Sequence, residues 1–350
     1  MTTIIECCAG LDVHQASVTA TLRVPDGASG RRTITTQWTT MTADLLALGE
    51  WLHAHGVTHV AMESTGVYWK PVYYILEDLP HVTLLLVNAQ HVKRVPGRKT
   101  DVQDSEWLAQ LLECGLLQPS FVPPTPIREL RDLTRYRTHQ VRDRAREVNR
   151  LHRVLEDAGV KLSSVATDVM GASGRAMLNA LRHGTQDPEV LAALAKGRLR
   201  RKLPALRAAL TSRFRSHHAL LLGQILEKID FLEEVITTLT TEIDLQLVPF
   251  ASTLARVITI PGVDRKAASV LIAETGGDMS QFPSAGHLAS WAGMCPGHNE
   301  SAGKRRTGRT RKANPYLRGV LIESALAARR TKGSPMQATY QRVLRRRACS

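Results

Sequence analysis

The sequence predicts an α/β domain followed by an all-α region. Three features carry that prediction. Short strands give way to a helix-strand alternation before residue 126, an arginine-rich helix follows a proline cluster, and a leucine/isoleucine seam runs farther on at spacings of three and four.

Ile4 to Val13 is mostly apolar, His14-Gln15-Ala16 can turn, and Ser17 to Val24 alternates apolar residues with Ser and Thr. Pro25-Asp26-Gly27 signals a turn, and Thr33 to Thr39 reads as a third strand. Leu45 to His55 has helical spacing, Val57 to Glu63 is a short strand, Val67 to Leu76 is helical and Val82 to Val87 is a buried strand. Such an order implies a mixed sheet. Thr100 can cap a helix from Asp101 through Leu112. Pro123, Pro124 and Pro126 mark a linker, which sets the first domain at 1–126.

The region 127–249 is helical. A long helix is expected from Ile127 to Ala158, with breaks at Gly171 to Gly174 and Gly184 to Pro188, and a second long helix from Pro204 to Pro249. Within the second, Leu222, Ile225, Ile229, Leu232, Ile236, Leu239 and Ile243 form an a/d seam, so a coiled coil is expected over about 219–247. The seam packs either on its own chain or on a second copy. In the last domain, 250–350, Ile260-Pro261-Gly262-Val263 between short helices resembles a helix-hairpin-helix, whose second helix offers free amides to a phosphate.

The formal net charge is +14. From Ser301 to Ser350, fourteen Lys and Arg residues face one acid, Glu323. That excess favours a polyanion, nucleic acid before an anionic membrane, although a solvated basic tail is the plainer alternative. No stretch is apolar enough to span a bilayer and no secretion signal opens the chain, so a cytoplasmic, nucleoid-associated protein is expected. Five cysteines without CxxC spacing fit a reducing compartment and support neither a zinc site nor a disulfide framework.

Asp12 stands mid-strand in Gly10-Leu11-Asp12-Val13-His14, where a carboxylate is costly to bury unless it is paired or binds a metal. Glu63 closes a second strand. Asp101 and Asp104, three apart at a helix start, share one face near its positive end. Four carboxylates from two strands and a helix repel one another without a cation. An all-oxygen set suits Mg²⁺ or Mn²⁺, and a pair of such ions assists phosphoryl transfer. Read singly, Asp101 is a cap, Asp104 is exposed and Glu63 is a solvated strand end. Their strand-strand-helix order favours the set.

A second cluster runs Asn299-Glu300-Ser301-Ala302-Gly303-Lys304-Arg305-Arg306, then Gly308-Arg309-Thr310-Arg311-Lys312. Serine is a poor nucleophile unless its proton is removed, and nearby cations can orient a scissile phosphate. By chemistry alone a phosphate-binding loop is the simpler reading. Candidate nucleic-acid contacts are Gly303, Lys304, Arg305, Arg306, Arg309, Arg311, Lys312 and Arg318. Arg131, Arg135 and Arg142 join them from the arginine helix, where interleaved acids such as Asp132 and Asp143 make some cations plain intrahelical partners. His217-His218 is no metal motif without a partner.

With these residues in place, the chain resembles the DEDD transposases of the insertion-sequence family numbered one-ten, the bridge-RNA-guided recombinases. The matching motifs are Gly-Leu-Asp-Val-His around Asp12, Glu-Ser-Thr-Gly from Glu63, Lys-Thr-Asp-Val-Gln-Asp ending at Asp104, Ile-Pro-Gly-Val from Ile260, Phe-Pro-Ser-Ala from Phe282, Ala-Gly-Met-Cys-Pro from Ala292, Ser-Ala-Gly-Lys from Ser301 and Leu-Arg-Gly-Val-Leu from Leu317. One departure is Lys312-Ala313-Asn314, where a Lys-Gly-Asn turn is common. The resemblance implies an RNase H/RuvC fold for the first domain, with Asp12, Glu63, Asp101 and Asp104 as metal ligands. It implies Ser301 as a nucleophile that forms a transient phosphoserine link, a structured guide RNA, target and donor DNA as substrates, and a dimer of dimers. The rival readings are a metal-dependent, structure-selective nuclease and a non-catalytic nucleic-acid-binding scaffold.

Overall fold

In the computed structural model, Cys8–Val13 forms β1 at the centre of a five-stranded sheet. The described residues exclude 1–2, 28–29, 65, 89–91, 93–103, 296–298, 302–303, 308–309, 311–312 and 349–350, and only the backbone is described at 299–301, 304–307 and 347–348. The chain divides into two compact units, Met1–Val122 and Pro123–Ser350.

In the first unit β2 (Ser17–Asp26) and β3 (Gly30–Thr39) extend the sheet antiparallel on one side of β1, while β4 (His59–Glu63) and β5 (Thr83–Val87) lie parallel on the other. The order is β3-β2-β1-β4-β5. Helices α1 (Thr42–Ala54) and α2 (Trp69–Leu76) connect β3 to β4 and β4 to β5. Their Leu45, Leu48, Leu52, Val72 and Leu76 share a core with Ala9, Leu11, Val18, Ala20, Leu22, Val60 and Met62. Strand side chains alternate between faces, so Cys8, Gly10, Asp12, Thr19, Thr21, Ala61 and Glu63 belong to the opposite face. There α3 (Asp104–Glu113) packs, burying Leu112 against Cys8 and Ala61. Every expected strand is present, within a few residues at its ends.

The second unit is mostly helical. Helix α4 (Thr125–Asp157) is entered through Pro126, whose fixed φ suits a first turn. The chain then makes α5 (Leu162–Val165), α6 (Ala172–Arg182), α7 (Pro188–Ala193), a 3₁₀ turn at Gly197–Lys202 and α8 (Leu203–Leu210) before α9 (Ser216–Gln246). The single long helix expected from Pro204 is therefore two. Phe214 turns inward to 5% exposure between them, and the Arg213 amide donates to the Ala158 carbonyl.

Helix α9 returns antiparallel along α4. Arg137 Nε donates to Thr240 Oγ1 at 2.7 Å, Arg144 pairs with Glu233, Lys228 Nζ lies 2.7 Å from Glu147 Oε1, and His218 meets Asp157 at 2.9 Å. The a/d seam faces inward here: Leu222 and Ile229 are fully buried, and Leu232 and Ile243 are 4% exposed. Of the two packings open to the seam, these four residues take the one on their own chain, while Ile225, Ile236 and Leu239 stay partly exposed. Ile243 and Leu247 also share a core with Ile127 and Leu130 of α4, Leu254 of α10 (Ala251–Ile258), and Val263, Ala268 and Ile272 in and before α11 (Arg265–Thr275). Helices α12 (Ala285–Trp291), α13 (Pro315–Ala328) and α14 (Pro335–Ala348) complete the unit, with a small hairpin of β6 (Asn299–Ser301) and β7 (Lys304–Thr307). No helix among the described residues is long and apolar enough to cross a membrane.

Candidate functional site

Two carboxylates reach the same level of the sheet because β1 and β4 run parallel in register, with Leu11 opposite Met62. Asp12 and Glu63 are the next residues on each strand, on the face that carries α3. Helix α3 starts with Asp104 and Glu106 in its first turn, where the helix dipole favours negative charge. Asp12 and Asp104 line one cleft of about 360 Å³ with Thr19, Thr35, Thr36 and Gln37. His14 Nε2 lies 3.1 Å from Asp12 Oδ2 at the exposed edge. Asp101, the fourth expected acid, lies outside the described residues.

The approach of α3 depends on Gly10. A Cβ built there falls 2.5 Å from the Ala109 backbone nitrogen and closer still to the Ser105 carbonyl oxygen. With hydrogen in that place, α3 lies directly on β1. Thr21 Oγ1 and Ser105 Oγ hydrogen-bond at 2.8 Å beneath its first turn. At its far end Glu113, 4% exposed, binds Arg23 and, at 2.7 Å, Arg31. The helix is thus fixed at both ends, and with it the position of Asp104. Cys8, beneath the middle of α3, is a packing residue. Burial, together with the negative charge of Glu113, pushes its thiol up to about 12.

The donor set of this cleft is hard oxygen: carboxylates on one sheet face and a helix start, with threonine hydroxyls beside them. That chemistry fits Mg²⁺ or Mn²⁺. A second cluster is one that sequence reasoning left without a partner. Asp157 joins His217 and His218, and one ligand atom from each lies within 4.8 Å of the others. His218 Nδ1, however, accepts the Arg215 amide at 3.1 Å, so its proton sits on Nε2 and is donated to Asp157. No lone pair is left on His218 for an ion, and its bond to Asp157 fastens the start of α9 to the end of α4.

In the second unit Ser301 ends β6, its backbone opposite Lys304 of β7; Arg305 and Arg306 continue β7. The side chains of Ser301, Lys304, Arg305 and Arg306, and all of Gly303, Arg309, Arg311 and Lys312, lie outside the described residues. Arg318 is exposed and donates to Thr310 at 3.2 Å. Arg142 is exposed on α4. Arg131 and Arg135 turn inward instead. Arg131 donates to the Ala273 and Glu274 carbonyls at 2.9 and 3.0 Å, and Arg135 grips both carboxylate oxygens of Glu274 at 2.7 and 2.8 Å. Burial disfavours the Arg135 charge, but its bond to Glu274 and the charge of that group raise its pKa above the ordinary value.

Glu274 is fully buried, and sequence reasoning did not single it out. Besides the two arginines it accepts Asn314 Nδ2 at 2.5 Å. Asn314 in turn caps α13, accepting the Tyr316 and Leu317 amides at 3.1 Å. Tyr316 lies under the Arg135 guanidinium at 4.8 Å and bonds His139 at 2.7 Å. This network anchors the chain just after the basic segment. The helix-hairpin-helix expectation changes as well. Gly262, at φ 84°, brings the turn against α13, where a Cβ would fall 2.6 Å from the Ala328 nitrogen. The Asp264 carboxylate caps the Ala267 amide, so one of the amides expected to be free for a phosphate is already bonded within the chain.

Residues 9–159 match the family profile DEDD_Tnp_IS110, a transposase, and residues 254–341 match the Transposase IS116/IS110/IS902 family. The chain is 28% identical over 292 residues to the insertion element IS900 uncharacterized 42 kDa protein of Mycobacterium paratuberculosis, covering 74% of this chain and 71% of that one. Among solved structures, Thermus thermophilus RuvC aligns at 14% identity and a TM-score of 0.24, covering 33% of this chain and 99% of RuvC. T. thermophilus RuvC in complex with a Holliday junction substrate aligns at 15% identity and 0.25, with the same coverage. Scores that low carry no argument for the fold. The profile matches fall on the carboxylate unit with α4 and on the segment that contains Ser301, so the chain carries the two IS110-family transposase domains in this order.

Proposed function

We propose that this chain is a DNA recombinase/transposase of a mobile element, in which RuvC-like carboxylates assist a serine that joins covalently to DNA. The observation that carries the reading is the placing of Asp12 and Asp104 on one hydroxyl-rich cleft, with Glu63 level with Asp12 on the neighbouring strand. In this reading Asp12, Glu63, Asp101 and Asp104 hold Mg²⁺ or Mn²⁺. Bound there, the ions supply charge neutralisation for a scissile phosphate and its leaving oxygen.

Ser301 Oγ attacks phosphorus. A new P–O bond forms as the bond to a deoxyribose oxygen breaks; the serine proton is lost and the departing oxygen takes one up. Lys304, Arg305 and Arg306 balance the charge that builds on the phosphoryl oxygens. The phosphoserine keeps the bond energy, and a hydroxyl from another strand reverses the step to rejoin the DNA. A structured guide RNA selects target and donor, and the working form is a dimer of dimers.

The test is adduct trapping. In Mg²⁺ the wild-type protein is expected to leave a denaturation-resistant protein-DNA adduct, and Ser301→Ala to bind DNA and form none. An adduct from Ser301→Ala refutes the nucleophile, and full strand transfer in EDTA refutes the metal. Mixing Ser301→Ala with Asp104→Ala is expected to restore some activity if one subunit's carboxylates serve another's serine. Cleavage that needs metal, with no adduct from any protein, is the result of a hydrolytic nuclease.

A further inference from the structure

The basic excess of this chain is not confined to its last fifty residues. Between Glu189 and Glu227 there is no acid at all, while Lys196, Arg198, Arg200, Arg201, Lys202, Arg207, Arg213 and Arg215 all fall there. Charge that dense, without interleaved acids, repels itself in a folded protein. The fold holds it in a fixed shape nonetheless.

Five of these cations sit at the 3₁₀ turn Gly197–Lys202 and the residue before it. Gly197 enters the turn at φ 56°, which a side chain would oppose. The Lys196 amide is held by Ser173 Oγ at 2.8 Å, and Leu199 packs on the helical core. Lys202 Nζ donates to the Val165 carbonyl at 3.1 Å and closes the turn against α5. Lys196, Arg198, Arg200 and Arg201 are exposed, and none of them is in an ion pair among the described residues. Arg207, by contrast, is neutralised by Glu189 at 2.7 Å. Arg213 and Arg215, also exposed, follow at the mouth of α9.

We propose that this turn is a docking surface for the sugar-phosphate backbone of duplex DNA, separate from the basic segment around Ser301. The inference rests on the reading of the chain as a DNA recombinase. Unpaired guanidinium groups on a rigid turn suit phosphate oxygens at short range. The exposed set holds no aromatic side chain on which an unpaired base could stack and no Asn or Gln to read a base edge. Such a surface holds a duplex by its backbone and is indifferent to sequence.

The experiment uses the full-length chain with Arg198, Arg200 and Arg201 changed together to Gln, and a random-sequence duplex as probe. Duplex affinity is expected to fall on the order of tenfold, and the salt exponent of binding by about 2.7, at about 0.9 per lost phosphate contact. These side chains are exposed, so the thermal midpoint is expected to hold. In the wild-type protein, the duplex is expected to shield Lys196 from an amine-acylating reagent, which tests the surface without any substitution. An unchanged exponent together with an unshielded Lys196 overturns the proposal. Shielding by a structured RNA but not by the duplex overturns it too, and assigns the turn to RNA. If the wild-type protein binds no duplex at all, the recombinase reading fails with it. If the wild type binds and the variant binds equally, only the turn's role falls.

Discussion

Gly10 and Glu274 are single residues on which larger parts depend. At Gly10, alanine would place its methyl group against two backbone atoms of α3, neither of which can rotate away. Gly10→Ala is expected to cost about 1–3 kcal/mol, the usual range for forcing a group into a packed interior. A lowered melting temperature, with weaker metal binding as Asp104 is displaced, is the expected pair of results. An unchanged midpoint would mean that α3 does not rest on β1. At Glu274, Gln keeps the shape but leaves Arg131 and Arg135 without their countercharge. Removing one partner of a buried ion pair costs about 3–5 kcal/mol. For a unit of this size that lowers the midpoint by about 10 °C. Calorimetry reads it directly, and a drop no larger than that of an exposed control such as Glu234→Gln would deny Glu274 its anchoring role.

At the scale of elements, the α4-α9 hairpin decides what the seam is for. Ile229 is fully buried and Leu245 is 61% exposed. Ile229→Glu is expected to destabilise the helical unit by several kcal/mol, because a carboxylate enters an apolar contact unpaired. Leu245→Glu is expected to leave stability within about 0.5 kcal/mol. Circular-dichroism melts of both variants check this; a protein that keeps its midpoint on Ile229→Glu but halves its mass would return the seam to an intermolecular role. The strands were legible because alternation marks a half-buried sheet, and Asp12 stood out because acids are rare in such strands. The break before α9 was not legible, since its apolar spacing runs on from Leu206 and Leu210 to Leu222 without an obvious stop. Arg131 and Arg135 looked like a cationic face because the acid that claims Arg135 lies 139 residues away in sequence.

The molecule as a whole consists of two compact units joined after Val122. The segment 1–122 holds its entire sheet, its cores and α3, and is expected to fold alone, as a cooperative melt would report. Mn²⁺ is expected to raise that melting temperature, since a ligand bound only by the folded state stabilises it, and Asp12→Asn is expected to abolish the rise. Equal stabilisation of wild type and variant would locate the ion elsewhere.

The hairpin is also a ruler. Arg135, which grips Glu274, and Leu155, near the end that carries the basic turn, lie on one uninterrupted helix, about twenty residues apart. At about 1.5 Å of rise per residue the two ends stand roughly 30 Å apart. Along a duplex that distance is about nine base pairs. A DNA fragment shorter than this is expected to touch the turn or the basic segment that precedes Asn314, but not both. Affinity measured against fragment length is therefore expected to rise in a step near that size, with the step missing in the Arg198, Arg200 and Arg201 variant.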